Sequence, residues 1–158
     1  MRISITGRFT DFEGTEEELL ARMTRGVTNA LLQMERAAKQ NLQGDARGKH
    51  LMSSLNTAVQ VNGLRVDGAL GVGTATGISD ESGTAADNFG IYVHEGTGKF
   101  GNGAGRGQSH GTVPWPFIGK DGLKHWTFGQ EANPFLENAY NSEGERCRQI
   151  IANAITGG

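Results

Sequence analysis

Between residues 16 and 42, apolar side chains recur at steps of three and four: Leu20, Met23, Val27, Ala30, Leu31, Met34, Ala37 and Ala38. That spacing puts them on one stripe of a helix. Thr15 and Glu18 form a capping-box pattern, in which the hydroxyl and the carboxylate each accept the other residue's backbone N–H. The carboxylates of Glu16, Glu17 and Glu18 suit a positive helix N-terminus. The helix is predicted to end near Leu42, before Gly44. About 26 residues at ~1.5 Å each span roughly 40 Å. One end is therefore expected to pack on something other than the core of its own domain.

Elsewhere the pattern is shorter in period. Ile3 and Ile5 alternate with Ser4 and Thr6, which predicts a strand over 2–9. A polar loop over 44–49 leads into a short helical or extended piece, His50 to Leu55. Thr57 to Val61 and Leu64 to Asp67 flank Asn62-Gly63, the pair favoured in a type I′ hairpin turn. Ala69 to Thr74 reads as a further strand, whose glycines point to close backbone approach or a bulge. Residues 75–88 read as a loop, and Phe89 to Val93 as a return to the core. Glycines at 98, 101, 103, 105, 107 and 111 predict a flexible arm over 98–111. The aromatic stretch Val113 to Phe128 suits a hairpin of Trp115–Phe117 with Lys124–Phe128 around Gly119-Lys120-Asp121-Gly122. Asn133 is the expected cap of a last helix, with Pro134 at its first position. Phe135, Leu136, Ala139, Tyr140, Cys147, Ile150, Ile151 and Ala154 mark its apolar side. Gly144 is expected to kink or break it, at a cost of about 1 kcal/mol relative to Ala.

The predicted fold is α+β. A small, mostly antiparallel sheet is flanked by a long N-terminal helix and a C-terminal helix, with long glycine-rich loops, in one domain over 1–158. Composition agrees with a modest core. The chain has 25 glycines and an apolar fraction of 36%, against ~45–50% for typical domains when glycine is included.

Charge changes the picture locally. The net value is −2, which gives no global signal for polyanion binding. Residues 51–96, however, hold Arg65 against Asp67, Asp80, Glu81, Asp87 and Glu95, a net of −4. Residues 97–130 hold Lys99, Arg106, Lys120 and Lys124 against Asp121, a net of +3. Such stretches can meet across subunits and fix register. The lone Cys147 rules out an intramolecular disulfide. No apolar run reaches ~18 residues and the N-terminus lacks a signal-peptide core, so synthesis in the cytoplasm without membrane association is expected.

Candidate chemistry is thin. His50, His94, His110 and His125 show no zinc-protease spacing. Gly96-Thr97-Gly98-Lys99 lacks the upstream glycine and the following Ser or Thr of a phosphate loop. Ser109-His110 has no nucleophile elbow around it. The enzyme alternative is a small metal-dependent hydrolase or ligand-binding domain using His94 and Glu95. The preferred reading has no catalytic residues, cofactor or metal.

Several motifs then fall in a recognisable order. Ile91-Tyr92-Val93-His94-Glu95-Gly96-Thr97 resembles the "YAxYVExGT" signature of tail-completion (tail-component, head–tail joining) proteins of long-tailed bacteriophages. Asn133-Pro134-Phe135-Leu136, followed by Ala139, resembles their "PFL" helix start. Ala38-Lys39-Gln40-Asn41 and the segment from Gly48 to Leu55 resemble "AKxNxP" and "TGxLxxSI". Leu42-Gln43 stands where a proline is usual, Arg47 where a Thr precedes the glycine, and His94 interrupts the Val-Glu pair. The resemblance implies a structural virion protein of the neck or upper tail. It implies a homo-oligomeric ring, hexameric by that resemblance, around the DNA channel, with tail-terminator, head-completion (stopper) and tail-tube proteins as neighbours. Genomic DNA would pass close by without specific binding. On this reading Tyr92, Glu95, Gly96, Thr97, Pro134, Phe135 and Leu136 are scaffold. Lys99, Phe100, Arg106, Trp115, Phe117, Lys120, Lys124 and Trp126 are expected to face a neighbouring subunit or partner.

Overall fold

The computed structural model describes residues 14–45, 48–73, 90, 93–101, 113–118 and 121–157. The expected strand over 2–9, the loop over 75–88 and most of the glycine-rich arm lie outside them, as do Tyr92, Arg106 and Lys120.

The first helix, α1, spans Glu16–Leu42. Its capping box is formed on both sides: Glu18 N–H donates to Thr15 Oγ1 and Thr15 N–H to Glu18 Oε2, each at 3.2 Å. The buried stripe begins at Gly26 and continues through Val27, Ala30, Leu31, Met34, Ala37, Ala38 and Leu42. A short helix, α2, occupies Gly48–Ser54 and buries Leu51.

The last helix, α3, covers Phe135–Thr156 and runs antiparallel to α1 along most of its length. Their partners proceed in opposite order along the two helices. Arg22 Nη1 donates to Ile155 O at 3.1 Å, Cys147 Sγ to Ala30 O at 3.3 Å, Gln33 Nε2 to Glu143 Oε2 at 2.9 Å and Asn41 Nδ2 to Phe135 O at 3.0 Å. Gly26 lets the backbones close up: a Cβ there would sit 3.0 Å from Ala154 Cβ and 3.1 Å from Ile151 Cα. The expectation that one end of α1 packs beyond its own core is thus corrected. α3 is long enough to cover it, and Leu19, Leu20 and Met23 near its start pack against the same core.

Gly144 does not break α3, because the helix is held on α1 from both sides of that position. A Cβ at Gly144 would meet the Tyr140 ring at an ordinary 3.6 Å. Gly144→Ala should therefore stabilise the fold, by up to about 1 kcal/mol. A raised urea midpoint with unchanged slope would bear this out.

Strands β1 (Leu55–Asn62) and β2 (Arg65–Val72) form an antiparallel hairpin in which Asn62 faces Arg65 and Val61 faces Val66. The turn residues are Gly63 and Leu64 rather than Asn62 and Gly63. Gly63, at φ +59°, supplies the positive φ at the first turn position, as in Gly-X hairpin loops. The shifted register sets Val61 against Val66. The stretch from Ala69 is no separate strand; it continues β2. One face of the hairpin, including Leu55, Val59, Val66, Leu70 and Val72, joins the core beside α1. Close approach falls at Gly68, where a Cβ would lie 2.7 Å from Val27 Cγ1 and 2.9 Å from Leu31 Cδ1.

A second two-stranded sheet pairs β3 (Trp115–Ile118) with β4 (Lys124–Thr127). The expected sheet is thus divided between two ribbons. The fold is α+β, with α1 and α3 packed on each other and the β1–β2 hairpin on α1.

Candidate interaction surface

The surface starts from a seat at the end of α1. Val93, Phe135 and Leu136 are buried there. Asn133 N–H donates to Val93 O at 2.8 Å. Asn133 does not cap α3, contrary to expectation. Its side-chain amide donates to Asn41 O at 3.2 Å and Asp45 Oδ2 at 3.3 Å, tying the helix start to the end of α1. The cap position falls to Pro134, whose side chain has no hydrogen-bond acceptor to offer.

From this seat the chain runs in two adjacent lines. Thr97 N–H donates to Gln130 O at 2.9 Å, Gln130 N–H returns to Thr97 Oγ1 at 3.1 Å, and Lys99 N–H donates to Phe128 O at 3.0 Å. Residues 98–100 form a single 3-10 turn. The first residues of the expected flexible arm are therefore fixed, because Lys99 within it and Thr97 just before it are hydrogen-bonded to 128–130. Gly96 makes this possible. It has φ +74°, and a Cβ would fall 2.8 Å from Phe100 O and 2.9 Å from both Ala132 N and Gln130 O.

The β3–β4 ribbon extends from that base. On one face lie Trp115, Phe117, His125 and Thr127; on the other lie Pro116, Ile118, Lys124 and Trp126. Among the described residues, nothing covers either face. Trp126 is 63% exposed, Ile118 69% and Phe117 47%, and only Trp115 and Thr127 at the base are half-buried. Phe100, Val113, Leu123 and Phe128 add exposed apolar surface around it. Cations edge this surface. Lys99 Nζ lies 4.6 Å from the Phe100 ring centre and 5.0 Å from that of Phe128, and Lys124 Nζ lies 5.2 Å from that of Trp126. Of the expected contact residues, the structure thus gathers Lys99, Phe100, Trp115, Phe117, Lys124 and Trp126 on the ribbon and its base.

Sequence reasoning did not single out Ile118 and Leu123. Their signal was available: both ribbon faces carry apolar residues, where a strand covered on one side alternates. It also missed the pair at the ribbon tip. Asp121 accepts from Leu123 N–H at 3.0 Å and faces His125 Nε2 at 2.9 Å. The backbone bond, then His125, holds the Asp121 carboxyl below its ordinary range.

His94 and Glu95 lie beside the start of α3. The His94 ring meets Phe135 edge-on, with centres 5.5 Å apart. Its Nε2 and the Glu95 Oε2 are buried without a hydrogen-bond partner. No group of three His, Cys, Asp or Glu placed to hold a metal occurs among the described residues. Burial pushes the His94 pKa below its ordinary 6.5, against opposition from Glu95 and Glu137. Its neutral form is the folded one. Stability should be full above pH 6.5 and fall as pH drops through the lower folded value, because the unfolded chain takes up the proton first. Urea midpoints at pH 7.5 and 5.5 check this, and His94→Gln should flatten the difference.

No helix among the described residues is long and apolar enough to cross a membrane. The chain matches no protein-family model, and neither curated proteins nor solved structures give a match.

Proposed function

We propose that this chain is a structural subunit of the neck or upper tail of a long-tailed bacteriophage virion. It assembles into a ring around the DNA channel, sixfold as the motif resemblance implies, and contributes to tail completion and head–tail joining. The observation that carries this reading is the β3–β4 ribbon, apolar and exposed on both faces and rimmed by lysines. An isolated two-stranded ribbon is marginal in water. Exposed apolar surface with a polar rim is the usual mark of a protein interface. The neighbours are further copies of the chain and the adjoining terminator, stopper and tube proteins.

A head-to-tail interface closes into a ring when its rotation closes. The rigid α1–α3 pair and the fixed base at 96–100 suit such a subunit, since they aim the ribbon away from the core. The hydrolase alternative needs a third group beside His94 and Glu95, and no observed geometry favours it. Negative-stain microscopy of the purified chain, with and without extracts containing tail assemblies, tests the proposal. Rings, or incorporation at one end of tails, are expected. A chain that stays single and associates with no tail component would overturn it.

A further inference from the structure

We infer that the open face of the α1–α3 pair contacts the phosphate backbone of duplex DNA. This rests on the ring reading and names the surface that such a ring turns toward its channel. The two helices leave a groove of about 320 Å³, lined by Asn29, Leu32, Gln33 and Arg36 on α1 and by Ile150 on α3. Both helices belong wholly to the described residues. The β1–β2 hairpin meets α1 at Val27 and Leu31, half a turn away from Asn29 and Arg36. Arg25, Asn29 and Arg36 follow one another at steps of four and seven, so they share one face of the helix. At ~1.5 Å per residue, Arg25 and Arg36 stand roughly 16 Å apart along it.

The charge on this face is not cancelled within the chain. Arg25 and Arg36 are exposed and form no ion pair among the described residues. Beyond its first turn α1 has a single acid, Glu35, and Lys39 already holds it. Across the groove, the Arg146 side chain is 66% exposed and reaches Glu143 Oε2 only at 3.8 Å. That oxygen already accepts from Gln33 Nε2 at 2.9 Å. Three guanidinium groups are thus set against one half-buried, hydrogen-bonded carboxylate.

Composition selects the occupant. A protein-binding patch has a centre depleted of charge, whereas this groove sets only Leu32 and Ile150 among an arginine and amides. A membrane surface calls for large apolar and aromatic side chains beside the cations. Single strands stack on aromatic rings, and none lines the groove. Guanidinium groups, always charged and planar, suit phosphate oxygens. What fits is a rigid polyanion held through its phosphates, without reading of sequence.

Fluorescence anisotropy of two labelled duplexes of unrelated sequence, titrated over a salt series, is the test. For the parent chain, log K should fall linearly with log salt, alike for both duplexes. Arg25→Gln and Arg36→Gln should each reduce that slope by about 0.9, the share of one phosphate contact. Their urea midpoints should match the parent. Lys124→Gln, on the ribbon, should leave the slope as it is. An unchanged slope in both arginine variants, or a reduced one in Lys124→Gln alone, would overturn the assignment. Light scattering reads assembly separately. A parent chain that assembles yet binds neither duplex at low salt would refute the DNA contact and leave the ring standing.

Discussion

Gly96→Ala should cost about 3 kcal/mol or more of stability, a large share of what a domain of this size has. Two terms add. A non-glycine residue in the left-handed region costs roughly 1–2 kcal/mol. The new methyl also meets three backbone atoms at 2.8–2.9 Å, on Phe100, Ala132 and Gln130. None of these is a side-chain tip that can swing away. All three belong to the two lines of chain that carry the ribbon, so relief requires moving its base. Thermal or urea unfolding checks the loss, and amide exchange at Thr97, Lys99 and Gln130 should rise with it. A loss under about 1 kcal/mol would mean that the seat yields freely.

Trp126→Ala is the second large effect, and it falls on assembly instead of folding. The indole is 63% exposed and touches Lys124 within its own chain. Removing it should leave the urea midpoint within about 0.5 kcal/mol of the parent. A buried tryptophan at an interface centre is worth about 2 kcal/mol or more on truncation, or roughly thirtyfold in each subunit contact. Assembly measured by sedimentation should shift by at least that factor. Equal loss of fold and assembly would make Trp126 a folding residue. Trp115, half-buried at the base, is expected to affect both.

These two residues also mark what was legible in the chain. Periodicity and the Thr15–Glu18 box located α1 to within a residue, because cap chemistry and an apolar stripe are local properties. The ribbon was legible for the same reason, from two aromatic runs around a Gly-rich turn. The missed features are tertiary. Asn133 has the chemistry of a cap, yet its amide is used across the fold at Asn41 and Asp45. Gly144 weakens an isolated helix, but packing on α1 keeps α3 continuous. The β1–β2 turn moved by one residue because one positive φ, at Gly63, is enough for it. The seat at Gly96 was named from the motif alone. Its reason, three backbone atoms converging on the α-carbon, is visible only when residues 100, 130 and 132 come together. The exposure of both ribbon faces among the described residues is equally a tertiary property.

The proposed assembly depends on this exposed ribbon. Multi-angle light scattering of the parent chain and of Trp126→Ala, side by side over rising concentration, is the decisive measurement. The parent should form a defined species several times the mass of one chain, and Trp126→Ala should remain a folded single chain. A folded parent chain that stays single throughout, both alone and with tail extract, indistinguishable from the variant, would contradict it.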